Sequence, residues 1–235
     1  MARGPAQRPT AGARPPADSG VWPTAVFDVR CTRCARLASH LAAMRAEHPA
    51  YYNLPVPPFG DPDARLVIVG LAPGAHGANR TGRPFTGDHA GVLLYETLFA
   101  AGLSTRSVSV ASDDGLTLRS CRITNAVKCL PPANKPETSE ADACNRYLAA
   151  ELTLLTRPSV ILALGAIAHR AVLRALGAKL GGHRFAHGAV HRMPDAPIVV
   201  DSYHCSRYNT QTRRLTAQMF ADVLAKARAL AAAPT

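Results

Sequence analysis

The sequence is short of acidic side chains: its 235 residues hold 16 Asp+Glu against 27 Lys+Arg, which leaves a formal charge of +11. That imbalance favours a polyanionic partner, and a protein that neutralises several phosphates binds in a strongly salt-dependent way. A basic surface with no such partner is the competing reading. No apolar run approaches the roughly 20 residues that a membrane-spanning helix needs, so no membrane association is expected. Residues 1–20 carry Arg3, Arg8 and Arg14 among prolines but no apolar stretch. This argues against a secretory signal and reads as a disordered basic tail, leaving 21–235 as one expected domain.

Two nucleotide-binding signatures are also missing. The stretch GLAPGAHGANRTGRPFTGD at 70–88 follows the apolar run Leu66, Val67, Ile68, Val69. It is rich in glycine, yet it has neither GxxxxGK[ST] nor GxGxxG, so it is not a phosphate cradle of either common kind. There is no internal repeat.

What is present is an alternation. Short β-branched runs at 65–69, 122–127, 159–164 and 197–200 predict buried strands. Helical spacing of apolar residues falls between them, at 92–101, 141–155 and 167–176. Further helical patterns precede the first strand (Leu37, Leu41, Met44) and follow the last (Leu215, Met219, Val223). Ser139 with Asp142 reads as a capping box for the middle helix. The segments 105–120 and 130–138 read as loops. The fold expected is α/β, a three-layer α/β/α sandwich around a central, mostly parallel four-stranded sheet.

In open parallel sheets, ligands sit beyond the carboxyl ends of the strands. Three polar groupings fall there: the 70–88 loop, Asn125, and SYHCSRYNT at 202–210. They define one cleft.

Six cysteines in a chain with no export signal argue for metal or cluster ligation over a disulfide framework. Cys31 and Cys34 are spaced to share one helix face, and Cys129 and Cys144 bracket a proline-containing segment. Four thiolates suit zinc or an iron-sulfur cluster equally, and four buried thiols acting as small hydrophobes are the third alternative. Cys121 and Cys205 read as packed or pocket-lining thiols.

With these pieces in view, the sequence resembles the uracil-DNA glycosylase superfamily, and most closely its family 5, the type B iron-sulfur enzymes. The resemblance rests on GLAPGAHGANRTGRPFTGD, ITNAVKCLPPANKP, SYHCSRYNTQTRRLT and the four cysteines, and it spans about residues 31–230. It implies a DNA repair hydrolase that cleaves the N-glycosidic bond of uracil, and of other deaminated bases such as hypoxanthine, leaving an abasic site. It further implies a structural [4Fe-4S] cluster on Cys31, Cys34, Cys129 and Cys144. The expected partner is DNA holding such bases, and the expected state is a cytoplasmic monomer associated with the nucleoid through DNA.

Such chemistry needs the target base extruded into a pocket, with a stacking surface, an edge reader, a stabiliser for the leaving base and a positioned water. The resemblance assigns Phe85 to stacking, beside Gly70 and Ala72, with a core Phe as the bland alternative. Asn125 is the edge reader, its amide complementary to uracil O4 and N3–H, and Asn134 is a second polar residue near the base. His204 donates to uracil O2 as charge builds there. Ser206, Arg207 and Asn209 are expected at the DNA backbone, where contacts position the strand without reading it.

The water is the harder assignment, because Leu71, Ala72 and Pro73 offer no polar group where many relatives place one. Asp88 is the best remaining carboxylate, ahead of His76 and Asn79; an Asp that only caps the following helix is its alternative. Cys205 stands where proline is frequent in the wider superfamily. A non-enzymatic, metal-stabilised DNA-binding protein is the alternative to the whole reading, and an iron-sulfur electron carrier is a further one.

Overall fold

Each of the β-branched runs forms a strand whose residues are buried on both sides. The computed structural model describes residues 26–154 and 160–232, and the tail expected at 1–20 lies outside them. The strands are β1 (Phe59–Gly60), β2 (Leu66–Gly70), β3 (Cys121–Asn125), β4 (Val160–Leu164), β5 (Val190–His191) and β6 (Ile198–Ser202). The helices are α1 (Ala35–Glu47), α2 (Ala78–Thr81), α3 (His89–Ala100), α4 (Thr138–Thr153), α5 (Ala166–Ala175), α6 (Arg207–Gln211) and α7 (Ala217–Ala232).

The expected four-stranded, mostly parallel sheet is corrected here. The sheet has six strands in the order β1-β3-β2-β4-β6-β5, and it is mixed. Neighbours among β3, β2, β4 and β6 run parallel, whereas β1 and β5 pair antiparallel at the two edges. Phe59–Gly60 and Val190–His191 are two residues each, too short to show the period of two by which a strand is read from sequence. The helix expected at 141–155 begins at Thr138, and the box at its start is made by Glu140, whose Oε2 accepts from the Glu137 N–H at 2.8 Å, in place of Ser139 and Asp142.

Strand alternation sorts the core into two faces. Leu66 and Ile68 join Leu94, Leu98, Phe220 and Leu224 from α3 and α7. Val67 and Val69 join Leu148, Leu152, Ala168 and Val172 from α4 and α5. Each such side chain, once removed from water, contributes roughly 1.5–3 kcal/mol before the cost of ordering it. A third, smaller cluster sets Leu37, Leu41 and Met44 of α1 against Val127, Cys129 and Leu130. Arg36 ties α1 to α4 through both oxygens of Glu140, at 2.8 and 2.7 Å.

The chain places β3 on one side of β2 and then crosses to place β4 on the other. This reversal opens a crevice at the carboxyl ends, where doubly wound sheets bind their ligands.

Candidate active site

The crevice begins with a glycine that has no room to be anything else. Gly70 ends β2 opposite Asn125 at the end of β3. A Cβ built on Gly70 would lie 2.5 Å from Asn125 Oδ1 and 2.6 Å from the Phe85 ring. The amide and the aromatic ring thus converge on the space that glycine leaves. Asn125 is only 3% exposed, and its Oδ1 has no hydrogen-bond partner among the described residues. A buried polar atom in that state costs roughly 1–3 kcal/mol, and a ligand N–H removes the penalty.

Phe85 is held in an uncommon backbone state, with φ +54°. Its ring belongs to the main core cluster and faces the His204 ring at 5.8 Å between centroids and 29° between planes. His204 follows β6, and its Cβ passes 3.6 Å from where a Cβ on Gly165 would be, at the end of β4. Gly165 has φ +95°, a backbone state that favours glycine, and a side chain there would be in ordinary contact with His204. The Asn209 side-chain N–H donates to the His204 carbonyl at 2.8 Å and fixes the loop.

His204 keeps part of its surface open at the pocket rim while protein encloses the rest. Desolvation lowers its pKa below the ordinary 6.5, and the nearby Asp88 charge pulls the other way without winning. The ring is neutral at pH 7 and can donate one N–H.

Asp88 takes the capping role that was its alternative reading. It is the N-cap of α3, its Oδ1 accepting from the Gly91 N–H at 2.9 Å. Its Oδ2 accepts no hydrogen bond among the described residues and points at the turn of Gly74 and Gly77, where a Cβ on Gly77 would come within 2.4 Å of it. The cap thus leaves one carboxylate oxygen available beside His204. The weaker water candidates are differently employed: Asn79 is fully buried with its amide donating to Asn53 Oδ1 at 2.8 Å, and His76 is exposed with Nδ1 against the Tyr51 hydroxyl.

Not every expected residue joins this group. Asn134 is exposed in the turn Pro132–Asn134, with φ +56°, and no contact links it to Asn125 or Phe85. Ala72 packs toward the α1 cluster, on the cysteine side of the loop. Ser206 caps α6, its Oγ accepting from the Asn209 N–H, and Arg207 is exposed beside it. Cys121 and Cys205 are buried core thiols.

Tyr208 was not foreseen. It is 69% exposed, an aromatic ring standing free one residue beyond Arg207. Its only sequence signal was an aromatic residue in an otherwise polar helix start.

Cys31, Cys34, Cys129 and Cys144 line one cavity of about 400 Å³, counted with its open mouth, together with Lys128 and Tyr147. The Lys128 backbone N–H donates to Cys144 Sγ at 3.3 Å. Burial first, and then the Cys144, Cys31 and Cys34 thiols, push the Cys129 thiol far up; burial pushes Cys144 to about 11 against the opposing pull of Lys128. Such a set of buried thiols favours its charged form only beside a cation.

A different trio has the spacing of a single-ion site. His169, His191 and Asp201 are buried with ligand atoms within 4.8 Å of one another, the one such group among the described residues, and they could hold a metal ion. The same contacts satisfy the carboxylate as hydrogen bonds, at 2.8 Å from His169 Nδ1 and 2.8 Å from His191 Nε2.

Comparisons with known proteins give the family. A family model described as the uracil DNA glycosylase superfamily matches residues 57–228. A type-5 uracil-DNA glycosylase of Thermus thermophilus is 48% identical over 208 residues, covering 86% of this chain and 94% of the relative. One from Pyrobaculum aerophilum is 45% identical, covering 86% and 89%. A type-4 uracil-DNA glycosylase of Thermotoga maritima is 39% identical over only 46% of this chain. At that identity and coverage the chain belongs to the type-5 uracil-DNA glycosylases of the uracil-DNA glycosylase superfamily.

Proposed function

We propose that this protein hydrolyses the N-glycosidic bond of uracil flipped out of DNA, leaving an abasic site, and that hypoxanthine and other deaminated bases are further substrates. The observation that carries the reading is the slot at Gly70, where a buried amide without a partner and an aromatic face meet. A flipped uracil stacks on Phe85, donates N3–H to Asn125 Oδ1 and accepts through O4 from the Asn125 amide. Base–aromatic stacking contributes roughly 1–3 kcal/mol. This offsets part of the cost of unstacking, which is least for a mispaired base.

Bond cleavage leaves negative charge on the uracil ring and positive charge on the sugar. His204, neutral, donates its N–H to O2 as that charge grows, so the interaction strengthens toward the transition state. Asp88 orients the attacking water through Oδ2 and opposes the charge on the sugar. Its Oδ1 stays with the α3 N-terminus and keeps the carboxylate in place. Ser206, Arg207 and Asn209 hold the backbone, and exposed Tyr208 is placed to enter the stack where the base has left. Residues 21–235 act as a single domain and a monomer, with DNA as the partner. Among the described residues no helix is long and apolar enough to cross a membrane.

Cys31, Cys34, Cys129 and Cys144 would hold a [4Fe-4S] cluster. In support, the four thiols line one cavity, and no three of their sulfurs lie within 4.8 Å of each other. Thiolates on one tetrahedral zinc stand about 3.8 Å apart. When bound, the cluster supplies a cross-link and no redox step. The residues themselves join α1 to the segment between β3 and α4, next to the Ala72 side of the slot.

The test is cleavage of a uracil-containing and a hypoxanthine-containing oligonucleotide by anaerobically purified protein, with alkali to reveal abasic sites. Strand breaks at uracil are expected. Intact strands, single and duplex, would defeat the reading. Iron and sulfide analysis of the same sample decides the cofactor, since stoichiometric zinc without sulfide would remove the cluster.

A further inference from the structure

The strained turn that carries Phe85 is gripped from outside the slot. Phe85 has φ +54°, a state that a non-glycine residue keeps only when its surroundings hold it there. Its two neighbours are pinned: the Pro84 carbonyl accepts from the Tyr95 hydroxyl at 3.0 Å and from Thr86 Oγ1 at 3.2 Å. Thr86 Oγ1 in turn meets Ser109 Oγ at 2.7 Å.

At the centre of these bonds is Arg83, a guanidinium only 3% exposed. Its Nε donates to Thr86 Oγ1 at 2.9 Å, and its Nη2 donates to Ser109 Oγ and to Asp114 Oδ2, each at 2.6 Å. One proton arrangement satisfies the whole set. Arg83 and Ser109 donate to Thr86 Oγ1, Thr86 donates to the Pro84 carbonyl, and Arg83 fills the remaining acceptors on Ser109 and Asp114. Asp114 is fixed independently, accepting from the backbone N–H groups of Val110, Ala111 and Leu116. The Gly87 N–H donates to the Ser109 carbonyl at 3.1 Å. The long excursion between α3 and β3, which otherwise has no part in the site, is thereby built as a brace against the 83–87 turn.

We propose that Arg83, anchored by Asp114, is a positioning residue for the base-stacking ring. It locks the turn in the conformation that presents Phe85 to the space beside Gly70. A lysine cannot substitute, because one ammonium cannot reach Thr86, Ser109 and Asp114 in the directions of the planar fork. The proposal rests on the reading of Phe85 as the stacking face.

The experiment separates a loosened ring from a merely weakened fold. Single-turnover cleavage of a uracil oligonucleotide gives the half-saturating concentration, and titration of the same duplex carrying an abasic-site analogue gives affinity for DNA that offers no base to stack. For cluster-loaded Arg83→Lys, half-saturation on uracil is expected to rise about tenfold while abasic affinity stays within about twofold, the signature of lost base stacking alone. Phe85→Ala is expected to show the same pattern, and the double variant to be no worse than Phe85→Ala.

Equal losses on both ligands, or fully additive effects in the double variant, would overturn the proposal. If Arg83→Lys does not fold, Asp114→Asn and Thr86→Val carry the same comparison. Should Phe85→Ala itself leave uracil discrimination intact, the stacking reading fails first and the positioning role with it. If Phe85→Ala has the expected effect and the Arg83, Asp114 and Thr86 variants do not, the positioning role alone fails.

Discussion

At Asp88 the observed helix cap and the proposed chemistry can be separated by substitution. Serine caps a helix about as well as aspartate but carries no charge, so Asp88→Ser retains the α3 N-terminus, whereas Asp88→Ala also loses about 1 kcal/mol of capping. The expected outcome is an Asp88→Ser protein with wild-type thermal stability and little cleavage; full activity would remove the carboxylate from the mechanism.

His204 is tested by pH. Its pKa is lowered by desolvation and raised in part by Asp88, so the neutral, donating form is present from neutral pH down to below 6.5. Cleavage should fall only in acid, as the ring takes up its second proton. Asp88→Asn, which takes away the carboxylate that raises that pKa, should move the acid limb lower still for whatever activity remains. His204→Ala should cost on the order of 10² to 10³ in rate with DNA binding kept.

Gly70, Asn125 and His204 stand out in the sequence because they lie at or just beyond strand ends, where sheet geometry gathers ligands, whereas Asp88 is marked only by the helix that it caps. Arg83 and Asp114 do not stand out: they are 31 positions apart, and nothing local marks their pairing. Asn134, singled out for its polar proline-flanked setting, stands in an exposed turn.

At the scale of elements, the brace between α3 and β3 makes a stability claim. Burial alone would raise the Asp114 carboxyl, but the Arg83 guanidinium and three backbone N–H groups outweigh it and hold it well below the usual carboxylate range. A carboxyl lowered on folding adds stability that is complete above its unfolded value, near 3.8, and is lost as pH falls from there toward the folded value. Asp114→Asn leaves a buried guanidinium short of its partner and should cost about 3 kcal/mol at pH 7. In urea titrations the gap between the two proteins should narrow below about pH 4. An equal gap at both pH values would assign the loss to packing.

The four central strands were legible because each is a β-branched run buried on both faces. The edges β1 and β5 were not, because pairing with a neighbour, and no property of their own two residues, makes them strands. The start of α4 was misplaced since Glu140, recruited by Arg36 of α1, serves as cap and as interhelical anchor at once.

For the whole molecule, the shortage of acid becomes useful once the crevice is located. Arg80, Arg207 and Arg213 are exposed on the loops and short helices that rim it. If three such side chains meet phosphates, log affinity for duplex DNA should fall against log salt with a slope near −0.9 per contact, and Arg207→Ala should reduce that slope by about one. A slope unchanged by Arg207→Ala would place that residue off the DNA.

The central proposal is that the Asn125 amide and the Phe85 ring, which close on Gly70, hold uracil for cleavage. The most direct measurement is the amount of free uracil, against abasic sites, released from a duplex oligonucleotide by the wild type and by a folded, DNA-binding Gly70→Ala protein. The account predicts one uracil and one abasic site per target from the wild type and none from Gly70→Ala, whose added Cβ occupies the position 2.5 Å from Asn125 and 2.6 Å from Phe85. A wild type that releases no uracil, or a Gly70→Ala protein that releases it as fast, would contradict it.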